Sequence, residues 1–442
     1  MKLQTCPKRP GHHRAASPEE TLSRMLPLLH LAGITRLSDI TGLDQTGIPV
    51  WSSIVPKSPD VLSVYNGKGA THVGSKVGAI MEAFERHAAF IVDRPLVRGS
   101  YHALSAERAT LDPRAAALPL RSNYSNDSTL VWTVANDVVT GEEVLVPADL
   151  VWMGLEPSMR CYAWASTTGL SAGITYEEAI SQALCEIIER DAWTIAEVLS
   201  HWLPRSRWEA AQIKLGRTPR EAWSGEGPQP FDDDFERFPE LDPNGFDGEL
   251  RRVHEQYLAA GLTPRVRDIT SDTGIPTMIA MVTADAMPEW PQAHAGAGAH
   301  PDPRVAVMRA LTEAAQSRTV DIQAQREDMI PAGEAVPAHM MHAKRPTSVE
   351  PRYWLIHRSA AQRRLDEVQC PARNEDTLDD IHLMIDRLRS VDLDRVLAVD
   401  LTRPETGVRV TRVIVPGAES WAVDHGKIGK RATKHWNANR NS

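Results

Sequence analysis

A chain of 442 residues with 58 acidic against 49 basic side chains carries a formal charge of −9, which speaks against nucleic acid or an anionic membrane as its main partner. No apolar run reaches membrane-spanning length, and the opening MKLQTCPKRPGHHR lacks a secretory hydrophobic region. Cys6, Cys161, Cys185 and Cys370 have no paired metal-ligand spacing and are too few for a disulfide framework, so the chain reads as a protein of a reducing cytoplasm, with apolar content for one large domain or two medium ones.

Along the chain, Ser17-Pro18-Glu19-Glu20 places an N-cap before a proline at N1 and a glutamate at N3. The helix it starts, TLSRMLPLLHLAGI, closes on Gly33. Strand VLSVY ends at the glycine turn Asn66-Gly67-Lys68-Gly69, and a helix bearing Glu82 and Glu85 follows. LVWTV and EVLVP, joined across Thr140-Gly141, spell a hairpin. The run Tyr162, Ala163, Trp164, Ala165 reads as a strand that breaks at Gly169 and Gly173. Thr175 then caps a helix, with Glu178 completing a capping box. Ile180, Ala183, Leu184, Ile187, Ile188 and Trp193 recur in it at the spacing of a packed face.

From 203 to 246, six prolines and the run Asp232-Asp233-Asp234 predict an inserted mobile segment outside the catalytic core. Helix signals resume at GELRRVHEQYLAAG, and TPRVRDITSDTGIPTMIAMVTA reads as strand, turn, strand. A further acidic helix, HPDPRVAVMRALTEAAQSR, is followed by a loop-like stretch, IPAGEAVPAHMMHAK. The helix TLDDIHLMIDRLRS precedes strands RVLAVDL and RVTRVIVP. Runs of strands with interspersed helices, without strict βα alternation, predict an α+β fold.

Three helices share one device. Glu82 and Glu85 with Arg86, Glu186 and Glu189 with Arg190, and Glu313 and Gln316 with Arg318 each set two oxygen-bearing side chains one turn apart. A single such pair is an ordinary solvated face. Three in small-residue, apolar helices point to convergence on one site, where carboxylates would repel and take up protons unless a cation neutralised them. All-oxygen ligands, some from carboxamide, favour a hard cation, and magnesium bound with substrate phosphates is the usual case.

Gly67-Lys68-Gly69 is not a P-loop, because GxxxxGK[ST] is missing. It is either an ordinary turn or a set of backbone N–H groups and one lysine offered to an anion. Gly169-Leu170-Ser171-Ala172-Gly173 matches GxSxG between strand and helix, which keeps a serine hydrolase using Ser171 as a rival, though no HGGG-type oxyanion loop stands upstream. His12, His13, His294 and His300 make no HExxH or comparable ligand spacing.

With these residues in hand, the chain resembles the YcaO family over about 14–417. The pieces that carry the resemblance are NGKGAT…EAFER, TTGLSAGITYEEAISQALCEIIERDA and GAGAHPDPRVAVMRALTEAAQSR, followed by Arg326-Glu327-Asp328. The resemblance implies a YcaO-type α+β fold with mixed or antiparallel sheets, ATP and Mg2+ bound between clustered glutamates, and a homodimer. It also implies activation of a peptide backbone amide by phosphorylation of its oxygen, after which a nucleophile attacks the amide carbon. Carried across, Glu82, Glu85, Glu186 and Glu189 hold the metal, and Glu82, Glu189 and Gln316 are catalytic. Arg14, Thr21, Lys68, Glu85, Thr168, Glu186, Glu313 and Arg318 contact the nucleotide. Thr168 stands where the family usually has asparagine, and Gly78 where serine is common.

The implied organisation is an N-terminal arm and helix over 1–60 that contributes to the nucleotide site, a catalytic domain over 61–417 and a tail over 418–442. Azoline-forming members typically end in a proline-rich tail, whereas this sequence ends GKIGKRATKHWNANRNS. RVIVPGAES with the GKR that follows resembles members encoded beside a TfuA-type partner, which are associated with thioamide formation. The expectation is an ATP-dependent enzyme acting on a peptide or protein substrate, with sulfide as nucleophile and a TfuA-like partner. An azoline-forming cyclodehydratase and a non-catalytic nucleotide-binding scaffold are the alternatives.

Overall fold

Three sheets position the helices that carry the paired carboxylates. The computed structural model describes the chain except residues 1–2, 61, 91–93, 120–121, 157, 159, 162–165, 215, 217–236, 285–291, 325–353, 360, 424–426 and 440–442. The first sheet is an antiparallel meander of β1 (Arg36–Asp39), β2 (Val50–Ile54) and β3 (Val64–Lys68). Before it, α1 (Pro18–Met25) begins at the expected capping box: Glu20 N donates to Ser17 Oγ, and Ser17 N donates to Glu20 Oε2. After it, α2 (His72–Ala89) starts from the Thr71 cap and lies directly on β3. A Cβ on Gly67 would stand 2.0 Å from the Ser75 carbonyl oxygen and 2.1 Å from Ala79 N, so only glycine allows this backbone-to-backbone approach. β1 and β2 pair with β3, so this sheet spans position 60.

A six-stranded antiparallel sheet comes next. Its order is β4-β5-β13-β14-β7 with β6 on β5, from β4 (Val97–Ser100), β5 (Thr129–Asp137), β6 (Glu143–Pro147), β7 (Leu170–Gly173), β13 (Leu397–Asp400) and β14 (Arg409–Ile414). The short α3 (Tyr101–Ser105) follows β4. The strand expected at 162–165 falls outside the described residues; the strand that leads into the central helix is β7. That helix, α4 (Tyr176–Glu197), starts at Thr175, whose hydroxyl accepts from Glu178 N. The expected box is altered, because the Glu178 carboxylate accepts from Ile174 N and Ala15 N instead of closing on the cap itself. Through Ala15, the same carboxylate anchors the N-terminal arm.

Past a π turn at Val198–Trp202, α4 runs on into α5 (Leu203–Lys214). The third sheet has the order β11-β10-β9-β8-β12, from β8 (Glu240–Leu241), β9 (Thr263–Asp268), β10 (Thr277–Ala284), β11 (Gln292–Ala299) and β12 (Gln362–Arg363). β12 runs parallel to β8 and the other pairs are antiparallel, which makes this sheet mixed. α6 (Gly248–Ala259) and α7 (Pro303–Ala324) cover it. α7 lies on β11 as α2 lies on β3: a Cβ on Gly296 would be 2.2 Å from Ala314 N.

Both ends of the 203–246 stretch, which the sequence reads as an insertion, pack into the core. Leu203 is buried among Ile195, Val198 and Leu199, while Leu241 and Phe246 are buried among Leu250, Val253 and Val266. One of the stretch's prolines, Pro243, opens a 3-10 turn whose cap is Asp242. Residues 217–236 lie outside the described residues. α8 (Thr377–Arg389) packs Ile381, Met384, Ile385 and Leu388 against Ile180, Leu184 and Ile188 of α4. α9 (Lys430–Asn439) closes the other end of α4. No helix among the described residues is long and apolar enough to cross a membrane.

Candidate active site

The later part of α2 and the middle turns of α4 and α7 bring their glutamates to one cleft. Glu82 and Glu85 face Glu186 from α2, and Glu189 faces Glu313 from α7 closely enough for each charge to bear on the other. Lys68, the last residue of β3, reaches across to pair with Glu313. Gln316 is half-buried one turn beyond Glu313. Arginines alternate with the carboxylates. Arg86 stands 3.6 Å from Glu82 and 3.6 Å from the buried Asp60. Arg190 stands 3.6 Å from Glu186 and 3.7 Å from Glu189. Arg412 enters from β14, donating to the Ser166 and Thr168 carbonyls at 2.8 and 2.9 Å.

Burial dominates the electrostatics. It raises Glu82 and Glu189 above the ordinary carboxylate range and Glu85 well above it, against the pull of Arg86 on the first and last of that trio's α2 members and of Arg190 on Glu189. Glu313 goes the other way: burial would raise it, but Lys68 and Arg190 hold it below the usual value. Glu313 therefore ionises first and its charge delays Glu189. The same enclosure pulls the Arg412 guanidinium down to about 10. Arg86 Nε, Arg190 Nε and Arg412 Nη2 are buried and have no hydrogen-bond partner. Such donors are costly unless something satisfies them, and three cationic ones in a cleft call for an anion.

The family model described as YcaO cyclodehydratase, ATP- and Mg2+-binding, matches residues 66–419. The chain belongs to the YcaO family. An uncharacterized protein of Methanothermobacter thermautotrophicus is 34% identical over 95% of this chain and 98% of its own. A Rhizobium leguminosarum bv. trifolii protein described as lying in the tfuA 3' region is 29% identical over 92% of this chain and 89% of its own. Among solved structures, YcaO from Methanopyrus kandleri bound with AMPPCP and Mg2+ has a TM-score of 0.68 and 25% identity, covering 97% of this chain and 98% of that one. A heterocyclase in complex with substrate and cofactor has a TM-score of 0.72 and 20% identity, covering 99% of this chain. The chain spans 57% of that heterocyclase's length.

ATP and Mg2+ are thus the cofactors of this YcaO protein, and the residues fit them. Among the described residues no three Asp, Glu, His or Cys side chains form a closed metal cage. Magnesium does not need one, since it keeps waters and takes one or two carboxylates together with phosphate oxygens. The glutamates sit in pairs, each beside an arginine with an unsatisfied N–H, which suits a metal carried in on a polyphosphate.

The nucleotide contacts implied by the resemblance divide. Arg14 lies within 3.5 Å of Gln182 on α4, one turn before Glu186, and Arg309 of α7 meets the same Gln182 at 2.8 Å. The arm that carries Arg14 is fixed, because Gln4 N donates to Glu177, Cys6 N to Asp376 and Ala15 N to Glu178. Thr21 donates to its own helix at the Ser17 carbonyl. Thr168 Oγ1 accepts from Ser166 and its carbonyl is held by Arg412, beside Gly169 N, which donates to Glu186. Arg318 is turned away to Asp44, at 3.0 Å, instead of joining the carboxylates.

Sequence reasoning missed Arg309 and Arg412. Arg309 is one helical turn before Glu313, and that spacing could have flagged it. Arg412 arrives from a distant strand with no local signal. The hydrolase reading fails on Ser171, which is 2% exposed and sits in mid-strand opposite Thr411, not on a strand-to-helix elbow.

Proposed function

We propose that this YcaO protein phosphorylates the oxygen of a peptide backbone amide and that sulfide then displaces the phosphate, leaving a thioamide, with a TfuA-like protein as sulfur partner. The observation that carries the reading is the alternation of paired carboxylates, half-buried or buried, with unsatisfied arginine N–H groups. An amide carbonyl resists attack because resonance gives its C–N bond double character. Magnesium–ATP supplies the phosphoryl group that makes the amide oxygen a leaving group. The chain's own residues hold and neutralise: the glutamate pairs orient the metal, and Lys68, Arg86, Arg190 and Arg412 offer fixed positive charge to developing phosphate charge. Overall, amide, ATP and sulfide give thioamide, ADP and phosphate.

Sulfide is favoured over an internal side chain by two observations. A relative similar over 92% of this chain lies in the tfuA 3' region. Among the described residues, the C-terminal helix α9 packs on α4 through Ala432 and Trp436, behind the turn that carries Glu189, whereas cyclodehydration needs a group to take the proton of an attacking Cys, Ser or Thr. Sulfide is partly anionic at neutral pH and needs less help. Incubation of candidate peptides with ATP, magnesium and sulfide, with and without the TfuA-like protein, should give a mass gain matching exchange of oxygen for sulfur. Loss of water at Cys, Ser or Thr without sulfur gain would establish the azoline-forming reading, and no ATP turnover under any condition would favour a scaffold.

A further inference from the structure

The back of α4 is gripped by charges that the amide chemistry does not use. Asp191 is completely buried, two residues after Glu189. Two residues turn an α-helix by about 200°, so Asp191 points away from the cleft, behind Glu189. Both its oxygens take Arg431 Nε, at 3.0 and 2.9 Å, and one also takes Glu419 N at 3.1 Å. Arg431, itself 7% exposed, extends its other end to Asp272, which His435 also approaches at 3.5 Å. The buried Glu419 holds the start of α9 by accepting from Gly429 N and Ala432 N at 2.9 and 2.8 Å. Ala422 N donates to the buried Thr194 one turn further along α4.

A buried ion pair is a poor way to gain stability, because desolvation consumes most of the attraction and well-packed apolar residues do as well or better. What it adds is direction. Apolar packing of Ala432 and Trp436 on Ile195, Val198 and Leu199 already holds α9 in place, but such contacts are non-directional, whereas the charged bonds to Asp191 have a fixed angle. We infer that Arg431 is a positioning residue: gripping Asp191 from behind, it fixes the rotation of the turn that presents Glu186, Glu189 and Arg190 to magnesium and phosphate. The inference rests on reading that cleft as the magnesium–ATP site.

The test uses the full chain carrying Asp191→Leu together with Arg431→Leu, an apolar pair in place of the ionic one. Melting should remain a single transition near that of the wild type. Calorimetry should show magnesium–ATP binding about tenfold weaker, the loss typical when the support behind a metal ligand is removed. Arg431→Lys, which keeps one charged contact, should recover part of it. Lys434→Ala, on the exposed face of α9 beside Asp392, should bind as the wild type does. A folded double variant with wild-type affinity overturns the inference while leaving the site reading intact. Should the double variant fail to fold, hydrogen exchange on the wild type decides: coupling is reciprocal, so magnesium–ATP should slow exchange in α9, and unchanged exchange there overturns the brace. A wild-type chain that binds no magnesium–ATP overturns both readings.

Discussion

Glu82, Glu85 and Glu189 are held protonated longer than ordinary carboxylates because burial penalises their charge. A carboxylate whose pKa is raised by folding adds stability that is full below its unfolded pKa and lost as pH rises through the folded value. In the ligand-free protein, these groups therefore weaken the fold on passing from acid to neutral, above the usual carboxylate range. A bound cation reverses that cost. The gain in melting temperature from magnesium–ATP should accordingly grow as pH rises through that window; a gain that stayed flat, or grew toward acid, would contradict the assignment. Ser171 gives a second check at this scale. Buried in mid-strand opposite Thr411, it should take no label from a fluorophosphonate in the folded protein, as read by intact mass.

The helices that carry the site are set by contacts between backbones. Gly67→Ala would force a methyl to within 2.0 Å of the Ser75 carbonyl oxygen, so α2 must lift off β3 and carry Glu82 and Glu85 with it. Overpacking of this kind costs about 1–3 kcal/mol, and denaturant unfolding should show a loss at the upper end of that range. Gly42→Ala, where an added Cβ meets nothing within 4 Å, should be close to neutral in the same assay. Most elements were legible because their signals are local: the Ser17 and Thr175 caps, the 3.6-residue periodicity through Ile180, Leu184 and Ile188, and the Thr140-Gly141 turn that joins β5 to β6. The rest is decided at long range. The rival GxSxG elbow became strand because β14 pairs with it, and the ends of the polar, proline-bearing 203–246 stretch are buried because Leu203, Leu241 and Phe246 find partners far away in sequence.

Across the whole molecule, α4 is the axis of the account. The N-terminal arm ties to its first turn through Glu177 and Glu178, α8 covers its middle, and α9 grips its far end through Asp191. The glutamate pairs, with Arg86 and Arg190 beside them, could be read from spacing alone, and the spacing of Arg309 one turn before Glu313 could have flagged it too; Arg412 could not be read so, because it reaches the cleft from β14 and only assembly brings it there. Arg318, which sequence placed with them, is claimed by Asp44. The central claim is that these pooled charges are the magnesium–ATP site. Calorimetric titration of magnesium–ATP into the wild type, Glu82→Gln and Glu189→Gln tests it most directly. The account predicts binding by the wild type and at least about a tenfold loss in each variant, with folding retained because glutamine nearly matches glutamate in shape. Unchanged binding in both folded variants would contradict it.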